Sequence, residues 1–327
     1  MNHPRRRATL TCLAAGLLTA ALPAVSAAAY PDKPIRLVVP FPPGQGADIL
    51  ARLIGQHLAA ALGQPIVVEN KVGAGGIIGT AIAAKAAPDG YTLYMGSSGP
   101  LAIGPHVYKA VGFDTLKDFA PISNIASVTQ VLVTAPASQL ASAKDVVERA
   151  RAQPGMVPFG SAGSGTTSHL TMELFTQMSG ISLSHVPYKG SSTSMIDVMA
   201  GRVPLMFDSL PGVLTNVKSG SLRAIAVASA QRDPLLPNVP TVAESGVPGF
   251  ATSGWIGLLA PARTPPQIVD QLHTAVAKAL KSEAVKKRMS ELAFTPIGNS
   301  PAEFQTFLSK EVALWGGVAA KAGVQKE

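Results

Sequence analysis

The chain has 327 residues, of which 47% are hydrophobic and only 14% are charged, so it can bury substantial cores and is too apolar for a disordered protein. This length is enough for two domains of ordinary size. The formal net charge is +8, but the densest basic segment, residues 278–288, is predicted to be a helix with an apolar opposite face and has no interleaved aromatic residues, so we expect no nucleic-acid partner.

Residues 1–29 have the composition of a cleavable signal peptide. Three arginines at 5–7 form a charged start, residues 10–22 form an apolar stretch, and small residues at 25–29 provide a cleavage site after position 27 or 29. The apolar stretch is shorter than the ~20 residues of a spanning helix. Cys12, the only cysteine, falls in this segment, so the rest of the chain can form neither a disulfide nor a thiolate metal site. We expect export by the ordinary secretory route, with twin-arginine export as the alternative.

The first predicted unit after this segment is a strand, a tight corner and a helix. Residues 35–40 form an apolar run bounded by prolines, which is typical of a strand buried on both faces of a parallel sheet. The corner at 42–46 is rich in proline and glycine, and apolar residues at helical spacing follow until Gly63. The first N–H groups of the helix make the corner a candidate site for a small anion. Alternatively, glycine and proline only form the turn between the strand and the helix and bind nothing.

Strands and helices then alternate in two series. Further strands at 66–69 and 92–95 flank a helix at about 76–86, which gives the βαβαβ order of a parallel sheet. A helix-free β stretch at 119–134 leads to a second series, and another such stretch, at 252–259, follows it. The predicted strands of the second series are 156–159, 183–187, 203–207 and 224–227, and its predicted helices begin after Ser142 and span 168–178 and 194–200.

We therefore predict an α/β protein with two doubly wound domains joined by two crossing β-strands, an arrangement used in clamshell closure. Residues 30–130 are assigned to domain 1 and residues 131–254 to domain 2, and residues 255–327 return to domain 1. Helices beginning near Thr264 and Ser300 are expected only to cover the core of domain 1.

Four loops rich in Gly, Ser and Thr follow predicted strand ends, at 44–48, 96–100, 160–169 and 188–192. Ligands of open α/β sheets bind outside the carboxyl ends of strands, and these loops offer N–H and hydroxyl donors without bulk. A micromolar ligand needs about 8 kcal/mol, which no single loop supplies. We therefore expect a cleft to which both domains contribute, suited to a phosphate or a carboxylate.

An enzyme is the alternative interpretation. The motif GAGGIIG at 73–79 follows a strand and opens a helix like a dinucleotide fingerprint, although its spacing differs and no acidic residue ends a following strand. This motif favours a secreted nucleotide-dependent α/β enzyme, or else a plain tight turn. The chain contains no Walker loop, G-x-S-x-G elbow or H-E-x-x-H motif, and its histidines and acids lack metal-ligand spacing. We expect no catalytic residue, no metal and no cofactor.

Six motifs resemble, in order and separation, the substrate-binding receptors of tripartite tricarboxylate transporters, the TctC/Bug family. They are VPFPPGQGADILARL, GQPIVVENKVGAGG, AAPDGYTLYMG, GSGTTSHL, HVPYKG and GRVPLMFD. The resemblance implies a type II periplasmic-binding-protein fold and a monomeric, non-enzymatic receptor in the periplasm. It also implies a small carboxylate ligand and a membrane permease partner with one large and one small subunit. We expect a mono- or dicarboxylate of modest size.

The resemblance further implies that a ligand carboxylate lies between the opening corner and the 160–169 loop, bound through backbone amides and ordered water. Gln45 departs from the glycine found in many family members, so a side chain is available there to enter the pocket. The candidate ligand-binding residues are Phe41, Gln45, Gly46, Ala47, Asp48, Ser97, Ser164, Gly165, Thr166, Thr167, His169, Tyr188 and Asp208.

Structural roles compete with binding at several of these positions. Asp48 stands in the first helical turn, four residues before Arg52, where it can pair with that arginine. Lone histidines such as His169 are more often structural than functional. Asp208 ends a predicted strand and can instead cap a turn at Pro211.

Overall fold

The computed structural model describes residues 30–324 and 326, so the predicted signal segment lies outside the described residues. Helices and strands alternate along most of this part. In chain order they are β1 (Ile35–Val39), α1 (Gly46–Leu62), β2 (Ile66–Asn70), α2 (Ile77–Ala84), β3 (Thr92–Ser97), α3 (Gly104–Val107), β4 (Phe119–Val128), β5 (Gln130–Thr134), α4 (Ala143–Ala152), β6 (Pro158–Ser161), α5 (Thr167–Ser179), β7 (Ser184–Pro187), α6 (Ser191–Met199), β8 (Leu205–Ser209), α7 (Leu210–Lys218), β9 (Arg223–Val227), β10 (Gly254–Pro261), α8 (Pro266–Lys281), α9 (Glu283–Glu291), β11 (Thr295–Pro296) and α10 (Pro301–Lys321).

The strands form two separate sheets. The first has the order β11-β4-β10-β3-β1-β2, and the second has the order β7-β6-β8-β5-β9. In the first sheet β1 pairs in parallel with β2 and β3, which confirms the predicted βαβαβ unit. In the second sheet β6 pairs in parallel with β7 and β8, while β5 is antiparallel to β8 and β9. The predicted α/β architecture with two sheets is therefore confirmed.

The chain passes between the sheets where the sequence has its helix-free β stretches. The strand β4 belongs to the first sheet and β5 to the second, with only Thr129 between them. The return passes through residues 251–253 into β10, where Gly254 pairs with Val128 at the end of β4. The two crossings therefore lie side by side, and the N–H of Leu210 in α7 donates to the Thr129 carbonyl beside them at 2.8 Å.

Three apolar clusters hold these layers together. One lies between the first sheet and helices α1, α8 and α9, and another lies on the outer face of the second sheet under α6 and α7. The largest joins the sheets, because it contains Tyr94 of β3, Phe207 of β8 and Trp315 of α10. On that side α5 packs against α10, and the Gln177 side-chain amide donates to the Val318 carbonyl at 2.9 Å. Among the described residues, no helix is long and apolar enough to cross a membrane.

The structure corrects three local predictions. The helix α7 was not predicted, because Pro211 was interpreted as a turn residue, whereas proline is well tolerated in a first helical turn. The sequence favours Thr264 as the N-cap residue of α8, whereas the N-cap is Pro265 and the Thr264 hydroxyl donates to the Pro261 carbonyl. The basic segment at 278–288 spans two helices, because Ser282 has an extended conformation.

The GAGGIIG motif has a packing explanation at its last glycine. A Cβ atom at Gly79 would lie 2.4 Å from the Lys71 carbonyl oxygen and 2.9 Å from the Cα of Pro40. Only glycine therefore allows α2 to approach the end of β1 this closely. Gly73, Gly75 and Gly76 all have positive φ, so the turn before α2 also requires glycine.

Candidate functional site

A cleft of about 1090 Å³ lies between the two sheets. Its walls are formed by the corner after β1, the end of β3 and the turn before α2 on one side, and by the segments after β6, β7 and β8 on the other. The loops at 160–169 and 188–192, which follow strands of the second sheet, therefore contribute residues to the cleft, as the sequence predicted. Gln130 and Trp255, on the crossing strands, also line the cleft.

The corner after β1 presents the start of α1 to the cleft. Gln45 is the N-cap residue in an extended conformation, and its side chain makes no capping hydrogen bond. Gly46 and Ala47 occupy the first two helical positions, where an N–H group has no acceptor within the helix. Phe41 and these three residues all line the cleft. The corner therefore offers two helix-start amides.

Asp48 lies behind the corner and is not one of the residues lining the cleft. Its carboxylate accepts hydrogen bonds from the Gly44 N–H at 2.8 Å, from the Arg52 guanidinium at 2.9 and 3.0 Å, and from the Asn70 amide at 2.9 Å. Burial raises the pKa of Asp48, but these hydrogen bonds outweigh burial and hold the pKa below its usual value. The side chain fixes the corner and the first helical turn, as the competing structural role predicted.

The start of α5 faces the cleft from the second sheet. Thr166 is the N-cap residue, and its hydroxyl donates to the Gly163 carbonyl at 2.7 Å and accepts from the His169 N–H at 3.5 Å. Thr167 and Ser168 occupy the first two helical positions and line the cleft together with Thr166. The N–H groups of Thr167 and Ser168 therefore have no acceptor within the helix.

The two residues before the N-cap of α5, Ser164 and Gly165, offer no free amide to the cleft in the same way. Gly165 lines the cleft, but its N–H donates to Nδ1 of His169 at 3.1 Å, so this amide is already engaged. Ser164 does not line the cleft. A Cβ at Gly165 would lie 2.5 Å from Val107 of α3, so the loop packs closely against the first sheet's helices.

His169 is buried behind the loop and does not line the cleft. Because Nδ1 accepts from Gly165, the proton of a neutral His169 is assigned to Nε2, which lies 3.6 Å from Glu173. The ring stacks on His185 with centroids 3.8 Å apart. Burial lowers the pKa of His185 to about 3, with a smaller contribution from His169, and its Nε2 lies 2.6 Å from the Ser161 hydroxyl. The two stacked rings therefore form hydrogen bonds with the 160–169 loop on the side away from the cleft lining, at Gly165 and at Ser161.

The segments after β7 and β8 form the rest of this wall. Tyr188 does not line the cleft. Its hydroxyl donates to Asp197 at 2.6 Å, and Asp197 also pairs with Arg202. Lys189 does line it. Asp208 lies at the end of β8, lines the cleft and is 6% exposed. Burial raises the pKa of Asp208 to about 6, and the Ser209 N–H and the Ser191 and Ser209 hydroxyls offset this only in part.

A hydrogen bond joins the two walls. The hydroxyls of Ser98 and Thr167 lie 3.2 Å apart, at the end of β3 and the start of α5. Ser97, the predicted site residue next to Ser98, lines the cleft as well. In this conformation the helix start that carries Thr167 is therefore attached to the first sheet.

Several lining residues were not predicted. Ser191, Ser192 and Thr193 at the start of α6 line the cleft. The predicted loop at 188–192 included the first two of them, but they were not among the candidate ligand-binding residues. Leu292 and Phe294 also line it, so the C-terminal part does more than cover the core. The sequence carries no signal for these two residues, because they are apolar residues in the short segment between α9 and β11.

Comparison with known proteins assigns the family. The model of the family described as "Tripartite tricarboxylate transporter family receptor" matches residues 50–324. Protein BugT of Bordetella pertussis is 39% identical over 302 residues, which cover 92% of this chain and 93% of BugT. Among solved structures, R. palustris Rpa4515 with adipate has a TM-score of 0.82 and 38% identity, over 91% of this chain and 100% of that one. MatC (Rpa3494) from Rhodopseudomonas palustris with bound malate has a TM-score of 0.77 and 30% identity, over 88% and 99%.

These matches decide against the enzyme interpretation of the GAGGIIG motif, because the family and its structural neighbours are substrate-binding receptors. They also confirm the periplasmic-binding-protein fold. The glycines of the motif contribute to one wall of the cleft and to the packing of α2. The chain belongs to the receptor family of the tripartite tricarboxylate transporters, the TctC/Bug solute-binding proteins.

Proposed function

We propose that this receptor captures a small mono- or dicarboxylate in the cleft between its two sheets and delivers it to a tripartite tricarboxylate-type permease. The observation that carries the proposal is the position of two helix starts, those of α1 and α5, on opposite walls of one cleft. Backbone N–H groups and the helix dipole there favour an anion. Lys189 is the one basic side chain among the described lining residues, and a carboxylate bound by amides needs no arginine.

The relatives support the size of the ligand. Rpa4515 was solved with adipate and MatC with malate, both small dicarboxylates. For this chain we place one carboxylate between the amides of Gly46 and Ala47 and those of Thr167 and Ser168. The remainder of the ligand then extends along the second wall toward Asp208.

Closure of two domains completes the proposal. We assign residues 30–130 and 255–327 to one domain and residues 131–254 to the other, with the crossings at Thr129 and 251–253 as the hinge. A ligand bound by both walls favours the closed form by its difference in affinity for the two forms. The Ser98–Thr167 hydrogen bond belongs to the form in which the walls are close. We further propose that the receptor is a monomer, exported to the periplasm by residues 1–29, and that its permease has one large and one small membrane subunit.

A ligand screen tests this function. The purified protein should show thermal stabilisation with small mono- or dicarboxylates, and calorimetry should give one site with a dissociation constant near or below about 1 μM, equivalent to about 8 kcal/mol. The acid should be recovered unchanged. Tightest binding of an uncharged sugar, or turnover of the acid at an enzymatic rate, would contradict the proposal.

The hydrogen bond between His169 and the binding loop gives a second prediction. His169→Leu leaves the buried Gly165 N–H without its acceptor, whereas His169→Asn places an oxygen near the position of Nδ1. An unpaired buried amide costs about 1–3 kcal/mol. A loop that shifts to avoid this cost no longer presents its neighbouring amides to the ligand, so we expect the leucine variant to bind the best acid of the screen roughly tenfold more weakly than the asparagine variant.

Both variants lose the stacking on His185, so this loss cancels in the comparison. Calorimetry measures the two affinities, and thermal unfolding measures the stabilities without ligand. Equal affinities for the two variants would show that the acceptor at Nδ1 does not position the loop.

A further inference from the structure

The buried carboxyl group of Asp208 has a hydrogen-bond partner among the described residues for only one of its two oxygens. Its Oδ1 accepts from the Ser209 N–H at 2.7 Å, which is the adjacent residue. Its Oδ2 is buried and has no hydrogen-bond partner in the described part of the chain. Ser209, not Asp208, is the N-cap residue of α7, and the Asp208 side chain makes no ion pair there.

An unpaired buried carboxylate oxygen is costly, so such groups usually have a partner or a function. The neighbours that face this carboxyl are uncharged: the Ser191 hydroxyl at the start of α6 and the Ser209 hydroxyl and N–H before α7. Among the described residues that line the cleft, the other charged side chains are Lys189, before α6, and Glu291, at the end of α9.

The unpaired oxygen is itself buried, but it lies next to the cleft, which Asp208 lines. Gly212, in the first turn of α7, also lines the cleft, and a Cβ there would lie 3.7 Å from Oδ2. The same Cβ would lie 3.1 Å from Ser209 Oγ, so the space beside the carboxyl is bounded by this hydroxyl and not by a side chain at position 212. The χ2 torsion of aspartate is soft, so the carboxyl can turn toward a donor that enters the cleft.

We propose that Asp208 determines ligand specificity by accepting a hydrogen bond from a hydroxyl or ammonium group on the bound acid. The inference rests on the proposed capture of a carboxylate by the helix starts. The receptor then prefers a carboxylate that carries such a donor over a plain diacid of the same length, because an ionised Asp208 repels a second carboxylate and accepts from a donor.

Calorimetry with two length-matched series tests this specificity. The first series is succinate, malate and aspartate, and the second is adipate, 6-hydroxyhexanoate and 6-aminohexanoate. At about pH 7.5, well above the pKa of the carboxyl, the tightest donor-bearing acid should bind at least about tenfold more tightly than the plain diacid of its series. Asp208→Asn keeps the shape and removes the charge, so the diacid should bind more tightly and the preference should fall about tenfold.

The wild-type protein provides a second measurement that does not depend on the variant folding. Lowering the pH from about 7.5 to about 5.5 protonates most of the Asp208 population, so the affinity for the diacid, corrected for the diacid's own protonation over this range, should rise relative to that for the donor-bearing acid. If acids bind but the preference is absent, or is unchanged by Asp208→Asn and by pH, the specificity role is wrong while the proposed function stands. If no acid of either series or of the wider screen binds, both fail.

Discussion

Replacing Thr167 by proline should weaken binding of the captured acid by about 10- to 100-fold, whereas Thr167→Ala should weaken it by less than about fivefold. Proline removes the N–H group at the first position of α5 and alanine keeps it. A hydrogen bond to a charged group contributes about 1.5–3 kcal/mol, which corresponds to this range of affinity. The comparison therefore tests whether a backbone amide binds the carboxylate.

The local backbone makes Thr167 suitable for this test. Proline is favoured at the first position of a helix, and Thr166 before it has φ −81° and ψ 163°, a conformation that a following proline allows. Thr166 itself is less suitable, because its N–H donates to the Gly163 carbonyl and its hydroxyl caps the helix.

Both replacements at Thr167 remove the hydroxyl and its hydrogen bond to Ser98, so the alanine variant is a matched control for that loss. Calorimetry with the best acid of the screen measures the affinities, and thermal unfolding without ligand checks that the proline variant is folded. Equal losses of affinity in two folded variants would show that this amide does not contact the carboxylate.

The sequence predicted the frame of the site because its signals are local. Pro and Gly corners, helical spacing and strand-like apolar runs depend on neighbouring residues, and they placed β1, α1 and β6 close to their observed positions. The rule that ligands bind at carboxyl ends of strands then directed attention to the loops that line the cleft. The helix-free stretches likewise indicated the two crossings, because a crossing strand must pass between sheets without forming a helix.

The direction in which each side chain points could not be predicted in the same way. Asp48, His169 and Tyr188 stand beside residues that line the cleft, yet their partners are Asn70, Gly165 and Asp197. Asn70 lies 22 residues from Asp48 in the sequence. A partner this distant depends on the packing of whole elements, unlike the pairing of Asp48 with Arg52 that the sequence indicated, so a motif identifies the loop but not which of its polar groups remain available to a ligand.

The buried carboxyl of Asp208, whose Oδ2 has no partner among the described residues, should contribute a loss of stability to the ligand-free protein as the pH rises from acidic to neutral. Burial raises the pKa of Asp208 to about 6, above the value of about 3.9 in an unfolded chain. The folded state therefore binds this proton more tightly, and the contribution of Asp208 to stability decreases as the pH rises from about 4 to about 6. Two pKa units correspond to at most about 3 kcal/mol. Asp208→Asn has no carboxyl to titrate at this position. The difference in unfolding free energy between this variant and the wild type should therefore be more favourable to the variant at about pH 7.5 than at about pH 4.5.

Thermal unfolding of both proteins without ligand at the two pH values measures the effect. For a chain of this size, 1 kcal/mol shifts the unfolding temperature by about 2–4 °C. The other titrating groups are common to both proteins and cancel in the difference. Asp197→Asn is the control of opposite sign: Arg202, and to a smaller degree Tyr188, lower the pKa of Asp197, so removing its charge should destabilise the protein more at about pH 7.5 than at low pH. If Asp208→Asn raises the unfolding temperature by the same amount at both pH values, the buried carboxyl does not titrate between them.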